Sequence, residues 1–265
     1  MKTGVIYTSK AGFFSNFRGT VSAFKKCEEM NLLPYVLWGR DSIYYDEKYG
    51  DNVWEYYFKQ ISELGDDKVT IEQDFSWRNL PHTRKKMNDL IKKYVIVNDE
   101  IQSEMDDFYN KNFKGKNILG VHIRLTDKST FHTEKKTIIS IDNYKKHIKN
   151  YLDLHANSYA YISTDSNDYI DGLIGEFGDK VIIKNDTIRT SGEMSVHHHT
   201  KGDGYKKGKD VVLDTLLLSK TNFLIKGISN VSLSSLFFNK NLNHFNIVSH
   251  YNNDTREDFI KSTLI

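Results

Sequence analysis

The 265-residue sequence predicts an α/β protein organised around parallel sheet. Three observations lead there. Near the start, an apolar run at Gly4–Ser9, a glycine-bearing loop at Gly12, a helical pattern and a second apolar run at Pro34–Trp38 follow within some 35 residues, the signature of a βαβ unit. The polar stretch Asn112–Asn117, with Gly115 inside it, separates two differently patterned regions. Beyond it, apolar strand-length runs again alternate with helical patterns, which calls for parallel strands covered on both faces.

The first strand covers Gly4–Ser9, and the first helix runs from about Phe17 to Glu29. Pro34–Trp38 is the second strand. The apolar spacing of Asp51–Phe58 suits a helix opening near Asn52, and helical patterns continue over Thr83–Lys93 and Asn98–Phe113. After the hinge come a strand at Ile118–Arg124 and a helix at Ile141–Leu154 with Ser140 available as N-cap. A strand at Ser158–Ser163, a helix at Asp168–Phe177 and a strand at Lys180–Ile183 follow. The stretch Ser191–Lys209 is polar and glycine-rich and reads as a mobile basic loop, with Lys201, Lys206, Lys207 and Lys209 among Gly202, Gly204 and Gly208. A helix at Asp210–Lys220, a strand at Phe223–Lys226, a helix at Asn230–Phe238 and a strand near Phe245–Val248 complete the set. Two regions result, 1–114 and 115–265.

Composition narrows the partners. There are 37 basic and 35 acidic side chains, a net charge of +2, which gives no general attraction to nucleic acid. A single cysteine, Cys27, excludes an internal disulfide framework and sits in a helical pattern as a small apolar residue. The polar start lacks the apolar stretch of a signal peptide, and no apolar run is long enough to span a bilayer, so a cytoplasmic protein is expected. Three successive histidines, His197–His199, cannot all face one ion in regular structure, and no metal site is expected there.

In parallel sheets, ligands bind outside the carboxyl ends of the strands. Four such places carry polar residues. His122 and Arg124 share one face of their strand by period-2 alternation. A basic pair there can hold a diphosphate, each charge-assisted bond contributing about 1.5–3 kcal/mol; an ion pair between Arg124 and Asp127 is the structural alternative. The run Ser163–Asp168, with Asp165 in it, offers a nucleotide contact or helix capping. Asp214 lies in a helical pattern surrounded by apolar residues, where a carboxylate needs a donor, from a nucleotide base or ribose; taken alone, it is better explained as a first-turn aspartate favoured by the helix dipole. Gly227–Ser232 joins a strand to a helix. Ser229, Asn230 and the free backbone N–H groups there can bind phosphate or simply cap the helix.

At His122–Lys128 the sequence resembles the HxRxTDK segment of GDP-fucose-dependent fucosyltransferases, the superfamily of α-1,6- and nodulation fucosyltransferases and protein O-fucosyltransferases. The similarity continues in order: Ile162–Asp165 resembles a strand end ending in TD, Val212–Ser219 an LDxxxLS helix, and Phe223–Ser232 the phosphate turn. Gly12–Asn16 is a looser match to a glycine-asparagine loop in the first half.

The resemblance implies a GT-B fold, two Rossmann-like domains with a cleft between them: 1–114 on the acceptor side and 115–265 binding the nucleotide sugar. It implies an enzyme that transfers L-fucose from GDP-fucose to a glycan or glycoconjugate with inversion and without a metal. Arg124 would bind the β-phosphate, with Lys128 adding positive charge. His122 and Asp214 would contact the ribose and guanine side, Asp165 the nucleotide, and Ser229 with Asn230 the pyrophosphate; Gly12 and Asn16 would form the opposing loop. The general base falls to His132 or Glu134. Leu125 stands where the α-1,6 enzymes carry a second arginine, so one phosphate contact is missing or comes from elsewhere. Acceptor contacts are expected among Asn16, Arg18, Trp38, Arg40, Tyr44, Trp54 and Tyr57. Two alternatives stay open: the same fold with another donor, such as xylose on UDP or GDP, and an inactive sugar-nucleotide or glycan-binding module.

Overall fold

The computed structural model describes residues 2–74, 81–124, 140–191, 196 and 203–247. Its contacts divide the chain into two compact units. One comprises Met1–Met105, Thr200–Leu213 and Leu233–Lys240; the other comprises Asp106–His199, Asp214–Ser232 and Asn241–Ile265. The expected α/β class, with parallel sheets, is what the structure has.

The first unit is built on strands β1 (Thr3–Tyr7), β2 (Leu33–Leu37) and β4 (Lys68–Thr70), which form a parallel sheet in the order β2-β1-β4. Helix α1 connects β1 to β2. It runs Phe13–Glu29, four residues earlier than the periodicity suggested. Gly12 takes the N-cap position in extended conformation, and the Phe13 N–H donates to the Tyr44 hydroxyl at 3.0 Å, so a distant ring satisfies one orphan donor. Phe13, Phe17, Val21 and Phe24 turn one face inward. They meet an aromatic core in which Phe13–Trp38 and Trp38–Trp54 pack edge-on, with centroids 5.1 and 5.4 Å apart.

The helix expected from Asn52 is only a 3-10 turn, Val53–Tyr56, followed by the short strand β3 (Phe58–Lys59). Asn52 explains the stop. Its side chain accepts from Trp38 N and Trp54 N and donates to the Val36 carbonyl, so it ties the turn to the end of β2 instead of opening a longer helix. Strand β5 (Ile96–Val97) pairs antiparallel with β3 and sits between helices α2 (Pro81–Tyr94) and α3 (Asp99–Asn112).

The second unit carries five parallel strands: β6 (Asn117–Ile123), β7 (Ser158–Thr164), β8 (Val181–Ile182), β9 (Phe223–Lys226) and β10 (Asn243–Asn246), in the order β10-β9-β6-β7-β8. The chain winds outward from β6 through β7 to β8, then returns beside β6 and winds the other way, a doubly wound sheet. Helix α4 (Ile141–Leu154) spans the expected residues. Ser140 is its N-cap by backbone shape but its hydroxyl makes no capping bond. Helix α5 (Asp168–Phe177) also matches. Tyr144, Ile148 and Tyr151 of α4, with Ile170 and Leu173 of α5, bury against Leu119, Val121 and Ile123 of β6, Ile162 of β7 and Ile225 of β9.

Helix α6 covers Gly204–Ser219, so the expected loop is already helical from Gly204 onward. The reason is close packing. A Cβ on Gly204 would lie 2.4 Å from the Tyr45 carbonyl oxygen, and one on Gly208 would lie 2.0 Å from the Tyr57 hydroxyl. These glycines serve contact, not freedom of motion. Lys209 lies 2.8 Å from carboxylate oxygens of both Glu100 and Glu104. Helix α7 (Asn230–Phe238) has the predicted bounds, and β10 starts two residues before its predicted strand. Among the described residues no helix is long and apolar enough to cross a membrane.

Candidate functional site

In a doubly wound sheet the crevice opens where the strand order reverses, between β6 and β9. The register shows what stands there. His122 of β6 pairs with Lys226 of β9 on one side and Ser163 of β7 on the other, and Lys226 pairs in turn with Asn246 of β10. Neighbours in register point to the same face, so Asn246, Lys226, His122 and Ser163 form one polar row across four strands at the carboxyl edge. Each is at most 6% exposed. The alternate residues Val121, Ile162 and Ile225 face the α4–α5 side and are apolar. Four polar side chains in register at the carboxyl edge of the switch point, where such sheets bind ligands, make the row a candidate site.

Asp214 continues the row from the adjoining helix. It is buried, and its two oxygens accept from Tyr161 Oη at 2.7 Å and Ser163 Oγ at 2.8 Å. Tyr161 and Ser163 are i and i+2 on β7, so both hydroxyls reach the same carboxylate. Because α6 starts at Gly204, Asp214 lies well inside the helix, and the first-turn dipole explanation does not apply to it. Helix α6 also packs close under β6, where a Cβ on Gly120 would lie 3.2 Å from Leu218 Cδ2 and 2.7 Å from Oγ1 of Thr221, just past the helix end.

Three loops continue from the strand ends. Arg124 follows β6 immediately and is half-buried. Asp165 follows β7. Its carbonyl accepts from Thr190 N at 2.9 Å, while Ser166 N donates to Thr164 Oγ1 and Asp168 N to Ser166 Oγ, both at 3.3 Å. Local turns therefore account for Thr164 and Ser166, and the Asp165 side chain is not what caps α5. After β9, the Ser229 hydroxyl accepts from Val231 N at 3.3 Å and caps α7, with half-buried Asn230 as its first residue.

The structure thus brings His122, Arg124, Asp165, Asp214, Ser229 and Asn230 into one unit, on the strand ends, the loops that follow them and the adjoining helix. Lys128, His132 and Glu134, together with Leu125, Asp127 and the histidines 197–199, lie outside the described residues. Gly12 and Asn16 belong to the other unit. There the buried Asn16 amide accepts from Ser9 N at 3.0 Å and Ser9 Oγ at 2.7 Å, and donates to the Ser9 and Ala11 carbonyls at 3.0 and 2.9 Å. It holds the loop after β1 in shape. Among the residues expected to touch an acceptor, Trp38, Tyr44, Trp54 and Tyr57 are at most 1% exposed and form the aromatic core. Their rings fill space between elements, so the acceptor expectation is corrected for these four. Arg40 is exposed and pairs with Asp51 at 2.9 Å.

Sequence reading missed Tyr161, Lys226 and Asn246. Only Lys226 left a trace, as the single charged residue closing the otherwise apolar run Phe223–Lys226. No group of three or more potential metal ligands occurs among the described residues.

The fold and the strand-end site define an α/β protein with a doubly wound sheet and a polar, partly cationic crevice. No protein-family model matches the sequence, and no curated protein matches it. Solved structures do match in fold. NodZ α-1,6-fucosyltransferase soaked with GDP-fucose is similar with a TM-score of 0.65 and 15% identity over 90% of this chain and 93% of that one; NodZ from Bradyrhizobium has also been solved. POFUT1 in complex with GDP gives 0.57 at 9% identity, covering 92% and 98%. A mutant of Arabidopsis thaliana FUT1 in complex with GDP gives 0.58 at 10% identity, covering 93% and 70%. The proteins that the sequence motifs pointed to are the ones whose fold this chain shares.

Proposed function

We propose that this protein is a GDP-fucose-dependent fucosyltransferase of the GT-B type that inverts the anomeric centre, needs no metal and acts on a glycan or glycoconjugate. The observation that carries the reading is the polar row at the sheet's switch point, flanked by Arg124 and the Ser229 turn, in a fold shared with structures solved with GDP or GDP-fucose.

The chemistry follows from the placement. The unit that carries β6–β10 holds the donor, with the diphosphate near Arg124, Ser229 and Asn230 and the nucleoside toward Asp214, Asp165 and His122. The first 114 residues supply the acceptor side, Gly12 and Asn16 among them. As the bond from the sugar's anomeric carbon to the β-phosphate oxygen breaks, its electron pair leaves on GDP. Arg124, Lys128 and the N-terminal N–H groups of α7 stabilise that charge. The acceptor hydroxyl adds to the opposite face of the sugar, and its proton passes to Glu134 or His132.

The test begins with thermal melts in GDP, UDP and buffer. A ligand that binds only the folded state raises the midpoint by mass action, and GDP is expected to do so selectively. Incubation with GDP-fucose and a glycan panel should then release GDP with or without EDTA. Arg124→Ala should stay folded and lose transfer by about a hundredfold or more. A UDP-selective shift would point to another donor. GDP binding without turnover on any glycan would leave a binding module.

A further inference from the structure

The connection between β2 and β3 carries an aromatic surface that the strand-end crevice does not use. Buried Tyr56 organises it: its hydroxyl lies 2.8 Å from the Asp46 carbonyl and also bonds the Gly50 carbonyl, while Gly50 turns the chain at φ +99°, a conformation that favours glycine. Tyr49 precedes that turn and Asp51 follows it. Tyr49 stacks on Tyr205 of α6, with centroids 3.7 Å apart and planes 7° from parallel. Tyr205 is itself fixed. Its hydroxyl donates to Glu100 Oε1 at 3.3 Å, its carbonyl accepts from Tyr57 Oη at 2.9 Å, and its ring stacks at 5.8 Å on the fully buried Tyr57. Tyr49 therefore ends a ladder of rings that rises from the core. Tyr205 covers one of its faces, yet the residue is 51% exposed, so the other face is open. At the edge of the surface, Arg40 Nε and Nη2 donate to Asp51 Oδ1 at 3.1 and 2.9 Å, and Tyr45 Oη donates to the same oxygen at 3.3 Å. The three donors converge on Oδ1, so Oδ2 is the acceptor that these bonds do not use.

We propose that Tyr49, with Arg40 and Asp51 at its edge, is a carbohydrate-binding platform on the first unit. The C–H face of a pyranose ring lies on the open face of Tyr49, and neighbouring sugar hydroxyls donate to Asp51 Oδ2 and accept from Arg40. The choice of a glycan as occupant rests on the reading of the protein as a transferase acting on glycans. The chemistry of the surface agrees with that choice. A flat apolar face edged by a few polar groups binds a ligand through its apolar side and orients it through the polar ones. A carboxylate oxygen beside a guanidinium supplies the acceptor and the donor that adjacent hydroxyls need. The Arg40–Asp51 pair is neutral as a whole, which suits an uncharged sugar better than a phosphate or a basic peptide. Because the stack already orders the Tyr49 ring, little conformational freedom is lost when a ligand settles on it.

The test applies the full-length protein to an array of unmodified cello-, malto-, xylo-, manno- and chito-tetraoses, and the best-retained sugar is then titrated calorimetrically. The wild type should bind at least one of them. Tyr49→Ala should weaken that sugar roughly tenfold or more, the loss of one well-placed aromatic contact. Tyr49→Phe keeps the ring face and should bind within about twofold of the wild type. GDP, titrated in parallel, reports on the other unit and should bind all forms alike. A sugar bound equally by wild type and Tyr49→Ala, or no sugar bound while GDP binds, would overturn the platform and leave the donor reading intact. Sugar binding that depends on Tyr49 without any GDP binding would sustain the platform and overturn the transferase reading. Binding of neither would overturn both. Tyr49 also packs on Tyr205, so Tyr49→Leu takes the place of Tyr49→Ala if the latter fails to fold. If neither folds, Tyr49 belongs to the fold and the proposal falls.

Discussion

Asp214 shows how a single buried carboxylate can be held ready. Tyr161 Oη and Ser163 Oγ each donate to one of its oxygens, at 2.7 and 2.8 Å. Tyr161→Phe removes one donor without changing the ring that packs against Phe108 and Phe113. The carboxylate, which is buried, then loses a donor. The expected cost is about 1–3 kcal/mol, read as a lower urea midpoint at an unchanged slope. No loss of stability would mean that Asp214 is held by other groups.

At the scale of elements, helix α6 departs most from what its composition suggests. Gly204 and Gly208 weaken a helix by propensity, and replacing Gly208 with Ala should gain about 1 kcal/mol on that ground alone. The contact decides otherwise, because the new Cβ would sit 2.0 Å from Tyr57 Oη and 2.4 Å from Cζ of a fully buried ring. Overpacking of this kind costs about 1–3 kcal/mol, so Gly208→Ala should lower the melting midpoint. An unchanged or higher midpoint would show that Tyr57 yields.

Charged pairs also join elements, α6 to α3 through Lys209 and Glu100 and α2 to α1 through Lys93 and Glu28. The hydrogen bond from Lys209 holds the Glu100 carboxyl below the usual range against a smaller opposing effect of burial, and Lys93 does the same for Glu28, with Tyr94 adding to it. A carboxylate depressed in the folded state contributes stability above its unfolded value, and that contribution is lost as pH falls through the folded one. Urea midpoints should therefore hold near neutrality and fall on acidification below about pH 4.5. Both carboxylates are mostly exposed, so the effect is screened by salt and modest. Glu28→Gln together with Glu100→Gln should flatten that acid limb; an unaltered pH dependence would remove these pairs from the account.

For the whole molecule, the consequence lies in connectivity. The first unit is completed by segments from far along the chain. Tyr205 stacks on Tyr49 at 3.7 Å, Phe238 on Phe17 at 5.5 Å, and the Asn88 amide donates to the Phe237 and Phe238 carbonyls at 2.8 and 3.0 Å. A fragment ending at residue 114 lacks Tyr205, Phe237 and Phe238 and leaves these partners open. It should show helical far-ultraviolet dichroism, weak near-ultraviolet signal and dye binding, the marks of lost packing. A cooperative melt of that fragment would contradict the expectation.

The sequence by itself determined the α/β class, the bounds of α4, α5, α7 and β9, and the strand-end positions of His122, Arg124 and Asp165. These follow from hydrophobic period and chain punctuation, which are local properties of the backbone and its neighbours. Long-range packing settled the rest. It made Trp38, Tyr44, Trp54 and Tyr57 a core and not a binding face, because which rings are covered depends on what packs over them. It extended α6 back to Gly204, because the glycines answer to Tyr45 and Tyr57 from distant parts of the chain. It set Lys226 beside His122, since strand neighbours in a doubly wound sheet are fixed by the order of winding and register, which no single strand encodes.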